Sequence, residues 1–148
     1  MSAAQFSDYL QLLTDIEDCI VVISARDEFS TSLTSEQKEA LTALGLTTDF
    51  YDDIYRYSYA AVIDSGSVVF EDCGPDRIEY AYISPEGISV SVTSAGLDVG
   101  NKSSVVIKGE EYSKNKRGLN IVVYNKKAGI VVDSVNFDTY TGADIVRG

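Results

Sequence analysis

From residue 59 onward the sequence is a train of short apolar or alternating runs, each stopped by turn-forming residues, and this pattern most limits the available folds. Residues 59–64 and 68–71 flank Ser65-Gly66, the pattern of a tight hairpin. Residues 78–83 and 88–94 flank Ser84-Pro85-Glu86-Gly87, with Ser, Pro and Gly at the first, second and fourth places of a type I turn. Ile88, Val90 and Val92 alternate with Ser89, Ser91 and Thr93, so that strand is expected to have one buried and one wet face. Strands over 104–108, 119–124 and 130–137 follow, the last two joined by residues 125–129.

The first third of the chain reads differently. Phe6, Leu10, Leu13 and Ile16 recur at helical spacing opposite Asp8, Gln11 and Asp15, which predicts a helix with one apolar stripe, started by Ser7 or a nearby polar residue. Residues 19–24 are apolar on both faces, as in a central strand. A second helix begins near Thr34 or Ser35, where Glu36 and Gln37 can answer the cap. It ends at Gly45, and Leu41 and Leu44 supply its buried face. Residues 49–55 add a further helical turn. Two or three early helices and many adjacent strands predict an α+β sandwich, largely antiparallel, forming one domain over residues 1–148.

Charge and composition exclude several functions. Twelve Lys and Arg against 23 Asp and Glu leave a net charge of −11, which repels nucleic-acid phosphates and anionic membranes. Histidine is absent, which removes Ser-His-Asp and Cys-His catalysis and His-liganded zinc. No run approaches the roughly 20 apolar residues of a spanning helix. The start lacks the pattern of a signal peptide, and with two cysteines the reading leans to the cytoplasm without assigning a compartment. Cys19 is expected to be a small buried hydrophobe and Cys73 to lie in a polar turn, and a bridge between them stays open.

Three places carry candidate chemistry. Asp27-Glu28 directly follows the central strand, where a carboxylate can meet a polar ligand or accept backbone N–H bonds from its own loop. Adjacent carboxylates do not flank a glycosidic bond as a catalytic pair must. Arg117-Gly118 stands before the apolar strand at 119–124, in the stretch holding Lys114 and Lys116. An Arg rooted there can grip hydroxyl pairs or a carboxylate, unless the run is simply a solvated loop. Arg56 lies within Tyr55-Arg56-Tyr57-Ser58-Tyr59, where tyrosines can stack on sugar faces or line a sheet margin. Asp98, Gly100 and Asn101 lack the closing Glu of a calcium loop.

Together these segments resemble the interleukin-like EMT inducer (ILEI) domain family. The resemblance rests on Arg117-Gly118-Leu119-Asn120-Ile121-Val122-Val123-Tyr124, then Gly129-Ile130-Val131-Val132-Asp133-Ser134 and Phe137-Asp138-Thr139-Tyr140. Asp27-Glu28, the helix end at residues 41–45 and the segment 56–59 match further family motifs. The residue after Arg56 is Tyr57 where the family has Asp, and Tyr59 stands for Trp. The Arg-Gly strand precedes the Asp-Glu segment in animal members and follows it here, which implies a circular permutation. The framework cysteines of the animal proteins have no clear counterparts.

The resemblance implies a β-β-α fold. The family includes secreted cytokine-like proteins, the sugar-binding stem domain of the O-mannose N-acetylglucosaminyltransferase, and modules of bacterial polysaccharide-synthesis proteins. By likeness to that stem domain, Asp27, Arg56 and Arg117 become carbohydrate-binding residues, and the tyrosine-rich segment around Arg56 offers Tyr57 or Tyr59 as a stacking platform. The expected partner is a glycan, with N-acetylglucosamine as the candidate sugar, beside a parent or partner glycosyltransferase. No cofactor, metal, nucleic acid or membrane is expected, and no enzyme activity, because no nucleophile–base pair stands out. The alternative is a cytokine-like protein-interaction or dimerisation module without sugar binding.

Overall fold

The structure is a computed structural model that describes residues 3–14 and 16–142. Its elements are helix α1 (Ala3–Thr14), strand β1 (Cys19–Asp27), helix α2 (Ser35–Ala43), and strands β2 (Ser58–Asp64), β3 (Ser67–Gly74), β4 (Ile78–Ile83) and β5 (Ser89–Gly96). A 3-10 turn at Leu97–Val99 leads to β6 (Lys102–Ile107), β7 (Glu110–Glu111), β8 (Gly118–Asn125) and β9 (Ile130–Phe137).

The apolar stripe of α1 buries Phe6, Leu10 and Leu13. The helix starts at Ala3, so Ser7 sits inside it and does not open it, while Asp15 lies outside the described residues. Helix α2 has the expected cap: the Thr34 side chain accepts from the Gln37 N–H, and the Gln37 side chain accepts from the Thr34 N–H.

Strand β1 is central, as its two apolar faces require. It pairs antiparallel with β2 through Ile20–Ser24 on one side and with β8 through Cys19–Arg26 on the other. With β3 beyond β2 and β9 beyond β8, this makes one antiparallel layer. Strands β4, β5, β6 and β7 make a second. Val21 and Ile23 face a core shared with Phe6, Leu10, Leu41 and Leu46. Ile20 and Val22, one residue out of step, face Val90, Val92, Val105 and Ile107 of the second layer. The molecule is therefore helices on sheet on sheet, an α+β sandwich.

The layers join where β1 and β2 part. Past Ser24 the end of β5 inserts between them, pairing parallel with β1 through Arg26↔Ala95 and Asp27↔Gly96. Buried serines close this seam. Ser94 Oγ donates to the Ala25 carbonyl at 2.5 Å and accepts from the Tyr59 N–H at 3.0 Å. Ser58 Oγ accepts from the Gly96 N–H at 3.1 Å.

Several expectations need correction. Residues 49–55 form turns and no helix, because Asp49 and Asp52 accept from the nearby N–H groups of Tyr51 and Asp53 and so compete with helical bonding. Cys73 lies in β3, and both cysteines are free. Glu110–Glu111, at the start of the charged stretch that leads to Arg117, is an edge strand, and the Glu111 carboxylate accepts from Ser104 Oγ and the Val105 N–H.

Candidate functional site

The ends of β1, β5, β8 and the lead into β2 meet at one edge of the central layer. Arg26 lies opposite Gly118 in the β1–β8 register, so Asp27 and Arg117 stand side by side where these strands finish. On its other side Asp27 pairs with Gly96. A Cβ on Gly96 would fall 2.0 Å from the Arg56 carbonyl oxygen, so the backbone of Arg56 packs directly on Gly96. The order across the edge is Arg117, Asp27, Gly96, Arg56.

Both Asp27 (φ 66°) and Arg56 (φ 60°) hold left-handed backbone, rare for side chains of this kind and costing about 1–2 kcal/mol each. The surroundings impose it. Glu28, 1% exposed, turns its carboxylate inward and accepts from the Ser30 and Thr31 N–H groups, from both their hydroxyls, and from the Arg56 N–H at 3.2 Å. Burial tends to raise the Glu28 pKa, but the hydrogen bonds from Thr31, Ser30 and Arg56 outweigh it and hold it below the ordinary value. Of the two adjacent carboxylates, Glu28 therefore latches the loop. The Asp27 carboxylate accepts no hydrogen bond from the described residues.

Arg117 is aimed by Asp138. Its Nε meets both carboxylate oxygens at 3.2 Å and its Nη2 meets Oδ2 at 2.8 Å. The guanidinium carbon lies 4.6 Å from the centre of the Tyr140 ring, and the side chain remains 39% exposed. Hydrogen bonding to Asp138, with the charges of Asp138 and Asp27 adding, raises the Arg117 pKa further. Burial tends to raise the Asp138 pKa, but Arg117 and the Thr141 N–H hold it low. Nη1 of Arg117 makes no hydrogen bond to the described residues. Arg56 is held more loosely, 3.7 Å from the exposed Asp98 and 5.0 Å from the Tyr55 ring.

Tyr57 and Tyr59 do not fare alike. Tyr59 is fully buried between Phe29 and Phe50, each ring centre 5.5 Å away, and its hydroxyl donates to Glu71 at 2.8 Å. It cannot meet a sugar face, which corrects the expectation of a platform there. Tyr57 is half-buried and lines a 370 Å³ cavity with Asp52, Ile54, Glu71 and Cys73. Among the described residues no group of three or more His, Cys, Asp or Glu is placed to hold a metal ion.

Sequence reasoning placed Asp27-Glu28 at this strand end, with a carboxylate accepting N–H bonds from its own loop as one reading, which Glu28 meets; it missed Asp138 and Gly96 as parts of this edge. Asp138 had a signal: pairing the 119–124 and 130–137 strands antiparallel puts the residue after Phe137 beside the one before Gly118. Gly96 had none, because its partner Arg56 comes from a distant segment.

Asp27 is an acceptor for hydroxyl groups, and the guanidinium groups are donors for hydroxyl or acetamide oxygens.

The family model described as interleukin-like EMT inducer (ILEI) matches residues 1–67. That stretch runs from α1 to the first residue of β3 and includes Asp27, Arg56, Tyr57 and Tyr59, while Arg117 lies beyond it. No curated protein and no solved structure matches the chain. Over its first 67 residues the chain is ILEI-like.

Proposed function

We propose that this ILEI-like chain is a non-catalytic carbohydrate-binding domain, accessory to a protein that makes or modifies glycans. The observation that carries the reading is the Asp27 carboxylate, free of hydrogen bonds from the described residues and standing beside a guanidinium that Asp138 aims. A terminal sugar, with N-acetylglucosamine as first candidate, would donate hydroxyls to Asp27 and accept from Arg117 Nη1 and Arg56. Of Tyr57 and Tyr59, only the half-buried Tyr57 keeps exposed surface from which to stack on the sugar. A single sugar held by a few side chains at a sheet end is expected to bind weakly. Catalysis is not part of the proposal: the Cys73 thiol is pushed up to about 12, chiefly by burial, and is a poor nucleophile at neutral pH. Adjacency of α1 and the end of β9, with Phe6 and Phe137 ring centres 4.3 Å apart, supports a permuted element order that keeps the fold.

The experiment is titration of N-acetylglucosamine-terminated glycans against the wild type and Arg117→Ala. Wild type is expected to bind in the millimolar range or better, and Arg117→Ala to lose about tenfold or more, the loss of a charged hydrogen bond. Equal binding by both proteins, or none by the wild type, would overturn the assignment. A second reading, a protein-docking module, draws on Leu12, Ile130 and Val132, which are 75%, 58% and 50% exposed near the edge strand β9. Light scattering on the same samples separates the two, since a dimer indifferent to glycan favours docking.

A further inference from the structure

A cavity of 350 Å³ opens at the opposite end of the sandwich, between the turn that joins β6 to β7 and the turn that joins β8 to β9. Strand β8 connects the two ends: Tyr124 lies seven residues past Arg117, about 23 Å away at roughly 3.3 Å per residue. Ile107 and Val131 form apolar wall, the rings of Tyr112 and Tyr124 line it, and Lys108 and Glu110 stand at the rim.

Tyr124 is the informative residue. It is only 3% exposed and packs in the core between the two layers, yet its hydroxyl makes no hydrogen bond to any described residue. A Cβ on Gly129 would lie 4.0 Å from that oxygen, which places it at the β8–β9 turn where the cavity opens. That oxygen is not one of the fully buried polar atoms left without a partner among the described residues, so it reaches the surface of the cavity, where a ligand can meet it. Beside it, the Tyr112 hydroxyl donates to Glu110 Oε2 at 3.0 Å and fixes that carboxylate. Lys108 forms no ion pair among the described residues.

We infer that this cavity is a second binding site, for a neutral polyhydroxylated ring of pyranose size. An apolar molecule would leave the Tyr124 hydroxyl unsatisfied, and a charged one would meet Lys108 and Glu110 with opposite effects. A pyranose has an apolar C–H face for Tyr112 and Val131. Its hydroxyls supply partners for Tyr124, Glu110 and Lys108. The volume suits one ring. The inference uses none of the residues at the Asp27 edge and stands without that assignment.

The test is titration of the ¹⁵N-labelled full chain with methyl β-glucopyranoside, followed by amide shifts. Shifts are expected at residues 108–110 and 126–129 in the wild type and equally in Arg117→Ala. Tyr124→Phe keeps the packed ring and is expected to weaken these shifts about tenfold, the effect of one hydrogen bond. Absence of shifts at both turns at tens of millimolar sugar would overturn the site, as would unchanged affinity in Tyr124→Phe. Shifts confined to the Asp27 edge would uphold that edge and refute this cavity.

Discussion

Asp27 and Glu28 are chemically alike and one residue apart, yet one faces outward and the other is 1% exposed. The left-handed backbone at Asp27 ends the alternation of β1 and turns Glu28 into the loop, where it collects N–H and hydroxyl donors. Because its folded pKa lies below the ordinary 4.5, the folded state binds fewer protons than the unfolded chain as pH falls into this range. Its contribution is thus present above the ordinary value and lost as pH drops through the lower, folded one. Glu28→Gln is expected to cost about 2–3 kcal/mol in urea unfolding at neutral pH, by leaving an amide against N–H donors. The gap to wild type is expected to close in acid, and a gap constant down to strongly acid pH would refute the latch. The sequence showed carboxylates at a strand end, but which one turns inward depended on a single dihedral angle. Tyr57 and Tyr59 teach a related lesson. They sit two apart on one face, and depth beneath Phe29 and Phe50, which the alternation does not encode, decides that only Tyr57 reaches the margin.

Hairpins were legible because their causes are local. Ser65 and Gly66 both take positive φ (49° and 86°), as the two-residue turn between β2 and β3 demands, and the Gly87 N–H closes its turn on the Ser84 carbonyl at 2.8 Å. The parallel pairing of β1 with β5 had no such local cause, since the paired residues lie far apart in sequence. Gly96 makes this junction possible. Its φ of −63° suits any residue, so its requirement is purely one of contact with the Arg56 carbonyl. Gly96→Ala is therefore expected to destabilise the chain by about 2–4 kcal/mol in urea unfolding, through overpacking against backbone that cannot swing aside. It is also expected to shift the amides of Arg56 and Asp27. An alanine variant as stable as wild type would show that the close approach is not real.

At the scale of the whole molecule, charge and architecture act separately. The net charge of −11 gives long-range self-repulsion that salt screens, while Lys126, held by Asp64 at 2.7 Å with both side chains nearly buried, is screened little. Raising ionic strength from low to physiological is expected to raise the thermal midpoint by a few degrees, measured by circular dichroism. A fall would mean that exposed ion pairs outweigh the repulsion. By itself the sequence determined the layered α+β plan: its 3.6- and 2-residue periods fix which faces must be buried, and its turn residues fix where the chain reverses. Only the tertiary structure decided that Asp27, Arg56 and Arg117 share an edge, that Tyr59 lies beneath the surface, and that Tyr124 faces a cavity. Those outcomes depend on contacts between segments far apart in the chain, and local periodicity carries no record of which distant surfaces meet.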